Sequence, residues 1–356
     1  MTPARMLEGA GEWLRGSGPQ SDIVISSRIR LARNLAGFPF VNAANRRQCD
    51  EVVDLARKRI TGISEKRLAD RVIWVPVNDA PPIDRQLLVE RHLISRPFAS
   101  AKNGTPRGVA IGNDETFAVM VNEEDHLRLQ VLRSGMQLGE AFDQINRIDN
   151  VLEESLDYAY ARRFGYLTAC PTNVGTGIRV SVMVHLPALK LTGEIEKVKR
   201  AADQMHLAIR GMFGEGSEAQ GDLFQVSNQS TLGKTEQEIL GDFQHTVVPQ
   251  IVAYEQQARQ LLMQQRSAQL DDRIHRAWGT LTHARVLGTD EVLQLLSHVR
   301  LGVNLGRLDA VDIRTVNELF LLTQPAHLQK LTDEAMNPAA RRVARAKMIR
   351  QRLGAR

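Results

Sequence analysis

Five arginines stand at the ends of strand-like segments, each beside small or acidic residues. Arg28 and Arg30 lie in SSRIR, Arg128 follows NEEDH, Arg179 follows CPTNVGTG, and Arg210 opens RGMFGE. Arg28 and Arg30 are two apart and therefore share one face of a strand. A guanidinium presents a planar fork of donors that matches phosphate oxygens in pairs. Several converging arginines can thus hold a triphosphate without a glycine-rich phosphate loop. Taken singly, each reads as a solvated surface residue, and only convergence makes a site. The acidic run NEED (122–125) and Glu215 offer carboxylates for two jobs. They can hold Mg²⁺ through water or grip a cationic acceptor, and an exposed acidic turn is the plain alternative. Cys170 precedes Pro171, Thr172 and Asn173 in a turn with free backbone amides, a setting that favours thiolate. Burial as a small hydrophobe is the ordinary use of such a cysteine.

Better-known motifs fail on single residues. LGKT at 232–235 ends like a phosphate-binding loop, but Asn228 stands where the first glycine belongs. Gly175 and Gly177 begin a dinucleotide fingerprint whose third position is Val180. The nine histidines contain no HExxH and the two cysteines, Cys49 and Cys170, form no close pair, so no directly bound metal is expected.

The elements that must position these groups follow from periodicity. Residues 22–33 alternate as a strand turning cationic at its end, and 71–77 read as a second strand. GVAIG, the turn Asn113-Asp114 and TFAVMVN read as a β-hairpin. Leu138, Phe142, Ile145, Ile148 and Leu152 hold one face of a helix predicted over 137–163. Strands near 178–186, 206–210 and 223–227 and a helix near 193–204 complete an α+β unit with antiparallel signals. From Thr235 the strand signals stop, and helical spacing takes over. The expected division is 1–258 for the α+β unit and 259–356 for an all-helical one.

Composition bounds the rest. The 356 residues are 43% hydrophobic and 24% charged, a globular balance. No apolar run approaches the ~18 residues of a membrane span, and the first residues lack the apolar core of a signal peptide. Two cysteines exclude a disulfide framework, so a cytoplasmic setting is expected. The formal net charge is +5, yet 336–356 holds seven basic residues and no acid, leaving −2 for the remainder. A near-neutral body with a basic tail argues against direct nucleic-acid binding.

SSRIRLARN, VNEEDHLR, CPTNVGTGIR and RGMFGE occur in the order found in the phosphagen (guanidino) kinases. The resemblance covers about residues 20–255. It implies an antiparallel sheet flanked by helices and phosphoryl transfer from MgATP to a guanidinium. It makes Arg28, Arg30, Arg128, Arg179 and Arg210 the phosphate-binding arginines, with Ser27, His92, Val180, Ser181, Met183, Gly211 and Gly214 around the nucleotide. Glu124 and Glu215 grip and deprotonate the guanidinium beside Cys170, while Glu123 and Asp125 act on Mg²⁺ through water.

The chain also departs from the small-molecule members of that family. Only 25 residues precede Ser26, and 141 follow Glu215. A missing substrate lid and an added helical segment resemble the bacterial protein arginine kinases (McsB type), whose acceptor is arginine within a polypeptide. That likeness implies a zinc-containing activator protein, a Clp-type chaperone–protease and a heat-shock repressor as partners, and a homodimer is compatible with it. Relatives of that type carry Arg-Asp-x-x-Arg-Ala in a phosphoarginine-binding regulatory pocket. Here Arg341 and Arg345 are kept, but Arg342 replaces the aspartate. Either another acid of the helical segment replaces it or the site is a general anion patch, and with no acid in 336–356 the second is expected. The alternatives are a kinase for free arginine or another small guanidino compound, and a non-catalytic adaptor using the basic tail. Val343, Ala346, Ile349 and Leu353 can also simply dock that tail on its own domain.

Overall fold

The structure is a computed structural model that describes residues 10–62, 72–100, 104–213 and 219–354. Gly214 and Glu215, both singled out above, lie outside the described residues.

Among the described residues ten strands form: β1 (Val24–Arg33), β2 (Val72–Pro76), β3 (Gly108–Gly112), β4 (Phe117–Val121), β5 (Leu127–Ser134), β6 (Tyr160–Ala161), β7 (Gly165–Tyr166), β8 (Ile178–His185), β9 (Leu207–Gly211) and β10 (Leu223–Asn228). Eight of them make one sheet in the order β2-β3-β4-β5-β1-β8-β10-β9, and every pairing is antiparallel. β1 lies at the centre, with its apolar residues Ile25, Ile29 and Leu31 no more than 2% exposed. The helix Leu138–Glu153 packs on β1 and β5 through Leu138, Ala141, Phe142, Ile145, Ile148 and Leu152, the stripe expected from a 3.6-residue period.

That helix ends ten residues earlier than predicted. Beyond Leu152 the apolar stripe stops, and the aromatic residues alternate instead. Tyr158 pairs with Leu35, and Tyr160 with Tyr166 in the β6–β7 hairpin.

After Thr235 every described element is helical. The helix Val248–Gln265 runs unbroken through position 258, where the sequence suggested a divide, and the chain turns at Arg266. The C-terminal helices share the core of the sheet. Arg300, 1% exposed, donates to Asp22 O at 2.9 Å and to His185 Nδ1 at 2.9 Å. The last helix, Pro338–Arg352, is capped by the Asn337 side chain on Ala340 N–H at 2.9 Å. It docks on its own neighbours: Ala346 and Ile349 are fully buried, while Val343 stays exposed. Among the described residues no helix is long and apolar enough to cross a membrane.

Candidate active site

Strand register alone places the arginines together. Arg30 pairs with Gln130 of β5 and Arg179 of β8, Arg28 with Ser181, and Arg128 with Ala32. Gln225 of β10 pairs with both Met183 and Arg210. Paired residues point to the same side of a sheet, so arginines from four strands emerge on one face. There they line a cavity of about 440 Å³.

Arg28, Arg30, Arg96, Arg107, Arg128, Arg179 and Arg210 line it, against the two described carboxylates Glu123 and Glu124. That excess of cations has a visible cost. Burial, then Arg128 and Arg179, push the Arg28 guanidinium down to about 10. Burial, then Arg28, Arg128 and Arg179, hold Arg30 well below its ordinary value, and its Nε is buried without a partner. A polyanion would supply the acceptors and the charge that this cluster lacks.

Glu123 and Glu124 follow Asn122, whose φ of +59° turns the chain at the end of β4. Glu123 accepts from Ser95 Oγ at 2.7 Å and Glu124 N–H at 3.0 Å, and it is ion-paired with Arg128. Burial raises its carboxyl, but Arg128 and these donors outweigh burial and hold it below the usual range. Glu124 differs. Burial, helped by Asp125 and Glu123, raises it despite Arg128 and a hydrogen bond to Cys170. Cys170 Sγ is also 3.0 Å from Thr172 Oγ1. Glu124 and Cys170 thus form one corner of the site, at the edge of the arginine cluster.

The loop 170–177 that carries Cys170 is fastened at several points. Thr231 Oγ1 lies 3.1 Å from Thr172 O and 2.7 Å from Val174 O, and Arg33 Nη1 donates to Thr176 O at 2.9 Å. Gly175, at φ +113°, pairs with Tyr166, and a Cβ on neighbouring Gly165 would come within 2.5 Å of Gly175 O. Only glycine permits that approach.

Asp125 is held beside the site. Its Oδ1 accepts from Asn34 Nδ2 and Ala169 N–H, both at 2.7 Å, and the residue does not line the cavity. It anchors the entry to the cysteine loop. The Ser27 hydroxyl donates to Gly135 O and accepts from Gln137 N–H, and the residue is wholly buried. Val180 points into the core on the opposite face, and Gly211 pairs with Phe224 outside the cavity. Ser181 and Met183 line a small adjoining recess with Trp13 and His92.

His92 does line the main cavity. It stacks on Phe213 with centroids 5.4 Å apart and planes 11° apart, and meets Trp13 edge-on at 4.4 Å. Burial, then Arg28 and Arg96, push its imidazole down to about 3. The Arg96 guanidinium lies over the Phe213 ring, 4.2 Å from its centroid. Trp13, Ser95, Arg96, Arg107 and Phe213 escaped sequence reasoning. Phe213 lies inside RGMFGE but drew no role from it, and the other four belong to no motif, although the pair Ser95-Arg96 three residues after His92 was a signal that could have been used.

A second cavity, about 520 Å³, lies in the C-terminal helices and contains Arg341, Arg342 and Arg345. The anion-patch expectation rested on the tail having no acid. Asp290 and Glu291, at the start of the helix Thr289–Asn304, line the same cavity. Arg345 is 2% exposed and donates to Thr323 O at 2.8 Å and Leu287 O at 3.0 Å, so it is built into the structure rather than solvated.

The sheet and its one-faced arginine cluster define a phosphoryl-transfer fold. The solved structures similar to it include the taurocyamine kinase of Schistosoma mansoni with bound transition-state analogue components. That match has a TM-score of 0.61 and 24% identity over 70% of this chain, and spans 34% of that duplicated chain. A lombricine kinase matches at TM-score 0.58 and 26% identity, over 70% of this chain and 72% of the other. Residues 51–258 match the ATP:guanido phosphotransferase C-terminal catalytic domain, and 267–356 the protein-arginine kinase McsB C-terminal domain. The protein-arginine kinase of Halothermothrix orenii is 46% identical over 96% of each chain, and that of Moorella thermoacetica 47% over 98% of each. The chain belongs to the protein-arginine kinase family of ATP:guanido phosphotransferases.

Proposed function

We propose that the protein transfers the γ-phosphoryl group of ATP to arginine side chains of proteins. The observation that carries this reading is one cavity with two chemically opposite parts: an arginine-lined part sized for phosphates, and the Glu124–Cys170 corner that suits a cation. Arg28, Arg30, Arg128, Arg179 and Arg210 bind the phosphates and the transition-state charge, which is the larger electrostatic contribution. Glu123, its carboxyl held below the usual range, would hold Mg²⁺ through water beside them. The metal supplies further neutralisation of phosphate charge.

A guanidinium nitrogen is a poor nucleophile because the group is cationic, with a pKa above about 12. As its N–P bond forms and the P–O bond to the leaving ADP breaks, one N–H proton must go to a base. Glu124 receives it, with Glu215 as the second carboxylate, and Cys170 holds the far side of the guanidinium. A raised carboxyl pKa suits Glu124 to this task, since a base near the working pH both accepts and returns a proton. Asp125 positions the cysteine loop.

We divide the chain into a catalytic unit and a helical unit, with the break at Arg266 instead of 258. Arg341 and Arg345 with Asp290 form a phosphoarginine site, the acid coming from a different helix than in the expected motif. Membership of the family supports a cytoplasmic setting, a homodimer, and a zinc-containing activator, a Clp-type chaperone–protease and a heat-shock repressor as partners.

The test is incubation with ATP and a mixture of free arginine and an unfolded protein, with acid-labile phosphate located by mass spectrometry. Phosphate on protein arginines is expected. Comparable turnover of free arginine would instead indicate a small-guanidino kinase.

A further inference from the structure

The loop between the helices Pro82–Glu90 and Arg96–Ser100 puts His92, Ser95 and Arg96 into the arginine cavity. What fixes this loop is contributed from the other end of the chain. Glu90 is 1% exposed. Its Oε1 accepts from Ala326 N–H at 2.9 Å, and its Oε2 from His327 N–H at 3.1 Å and His327 Nδ1 at 2.7 Å. Ala326 and His327 open the helix Pro325–Thr332. One catalytic-unit carboxylate therefore satisfies the first free amides of a helix 236 residues away.

Arg91 completes the clamp. It donates Nη1 to His327 Nε2 at 3.3 Å and Nε to Glu115 Oε2 at 2.8 Å. A guanidinium has no acceptor, so Nε2 carries the lone pair and Nδ1 the proton. The imidazole is thus the neutral Nδ1–H tautomer, with a distinct partner on each nitrogen. Immediately after Arg91, His92 takes φ +59°, a conformation that a non-glycine residue keeps only when its surroundings impose it. Gln130 Nε2 holds the His92 carbonyl from β5 at 2.8 Å.

We infer that Glu90 and His327 are positioning residues for the nucleotide: their clamp lets the C-terminal helices hold the His92–Arg96 loop in its binding geometry. Neither touches the cavity, so both act through His92, Ser95 and Arg96. Ser95 in turn donates to Glu123, which extends the effect to the carboxylate beside Arg128. The acceptor corner at Glu124 and Cys170 is fastened separately, through Asp125, Thr231 and Arg33. Nucleotide and acceptor binding should therefore respond differently when the clamp opens.

The inference rests on ATP occupying the arginine cavity, and the experiment separates the two. The full chain is titrated calorimetrically with MgATP, and steady-state KM is measured for ATP and for an unfolded protein acceptor. Glu90→Gln turns one acceptor into a donor facing His327, and His327→Leu removes the ring hydrogen bonds. Each should weaken ATP binding at least tenfold while the acceptor KM stays within twofold. His327→Asn keeps an N–H near the Nδ1 position and should recover most of the affinity. In a background with Trp74→Phe and Trp278→Phe, the emission of Trp13, which packs on His92, should shift in the two damaging variants and return in His327→Asn. ATP affinity within twofold of wild type in both damaging variants would overturn the inference. So would a parallel rise in both KM values, which marks general loosening. Should Glu90→Gln fail to fold, the two His327 variants decide alone. Wild-type ATP binding insensitive to Arg30→Ala would instead sink the nucleotide reading beneath it.

Discussion

Arg30 and Arg179 are direct partners across β1 and β8, and both side chains enter the same cavity. Like charges facing each other on adjacent strands destabilise a sheet. The fold accepts that cost at its centre, where a polyanion removes it.

Replacing one of the pair should therefore separate stability from function. Arg30→Met is expected to melt no lower than wild type without nucleotide, because a buried, repelled cation has been removed. The same variant should lose the thermal shift that ATP confers and roughly 100- to 1,000-fold in kcat/KM. Melting curves with and without MgATP check this, and an undiminished ATP shift would remove Arg30 from the phosphate site.

Glu124→Gln should keep the fold and ATP affinity but lose about 100- to 10,000-fold in transfer, since an amide takes no proton. The pH dependence carries a sign. A raised carboxyl protonates sooner on acidification, so kcat should fall below a midpoint lying above the ordinary value of 4.5. A rate profile flat down to pH 4.5 would exclude Glu124 as the base.

Cys170 should react with iodoacetamide before Cys49. Cys49 is 3% exposed, and burial followed by Asp50 raises its thiol, whereas Cys170 lies at the cavity. Modification should abolish transfer, and MgATP with acceptor should slow it. Peptide mapping that finds Cys49 labelled first would refute the assignment.

Five buried histidines, His92, His126, His185, His298 and His327, are all held below the ordinary imidazole value of 6.5, with burial the largest cause of each. A depressed folded-state pKa means that unfolding takes up protons below 6.5. Stability should then be constant above that pH and decline as pH falls from 6.5 towards each lower folded value. Urea unfolding at pH 7.5, 6.0 and 5.0 should show the decline, and His185→Gln should flatten it. Equal midpoints at all three pH values would contradict the neutral-imidazole picture.

Phosphoarginine should bind the second cavity better than inorganic phosphate does, because Asp290 offers an acceptor for the guanidinium end while Arg341 takes the phosphate. Asp290→Asn should erase that preference and leave phosphate binding nearly unchanged in calorimetry. Equal affinity for the two ligands in wild type would restore the anion-patch reading.

What depends on neighbours along the chain was legible in the order of residues alone. Strand alternation put Arg28 and Arg30 on one face, the 3.6-residue stripe drew the helix after Gln137, and the short motifs around Arg128, Cys170, Arg179 and Arg210 carried the chemistry. Those patterns are local because they follow backbone periodicity. Register and packing decided the rest. Asp125 and Ser27 look like site residues in a motif, yet a motif records only order, and their side chains turn to Asn34, Ala169, Gly135 and Gln137. Trp13 and Phe213 meet on His92, Asp290 reaches the pocket of Arg341, and Glu90 closes on His327, each pairing across long separations. Such contacts have no period and leave no mark on either partner's neighbours. They exist only because tertiary packing sets where the distant elements stop.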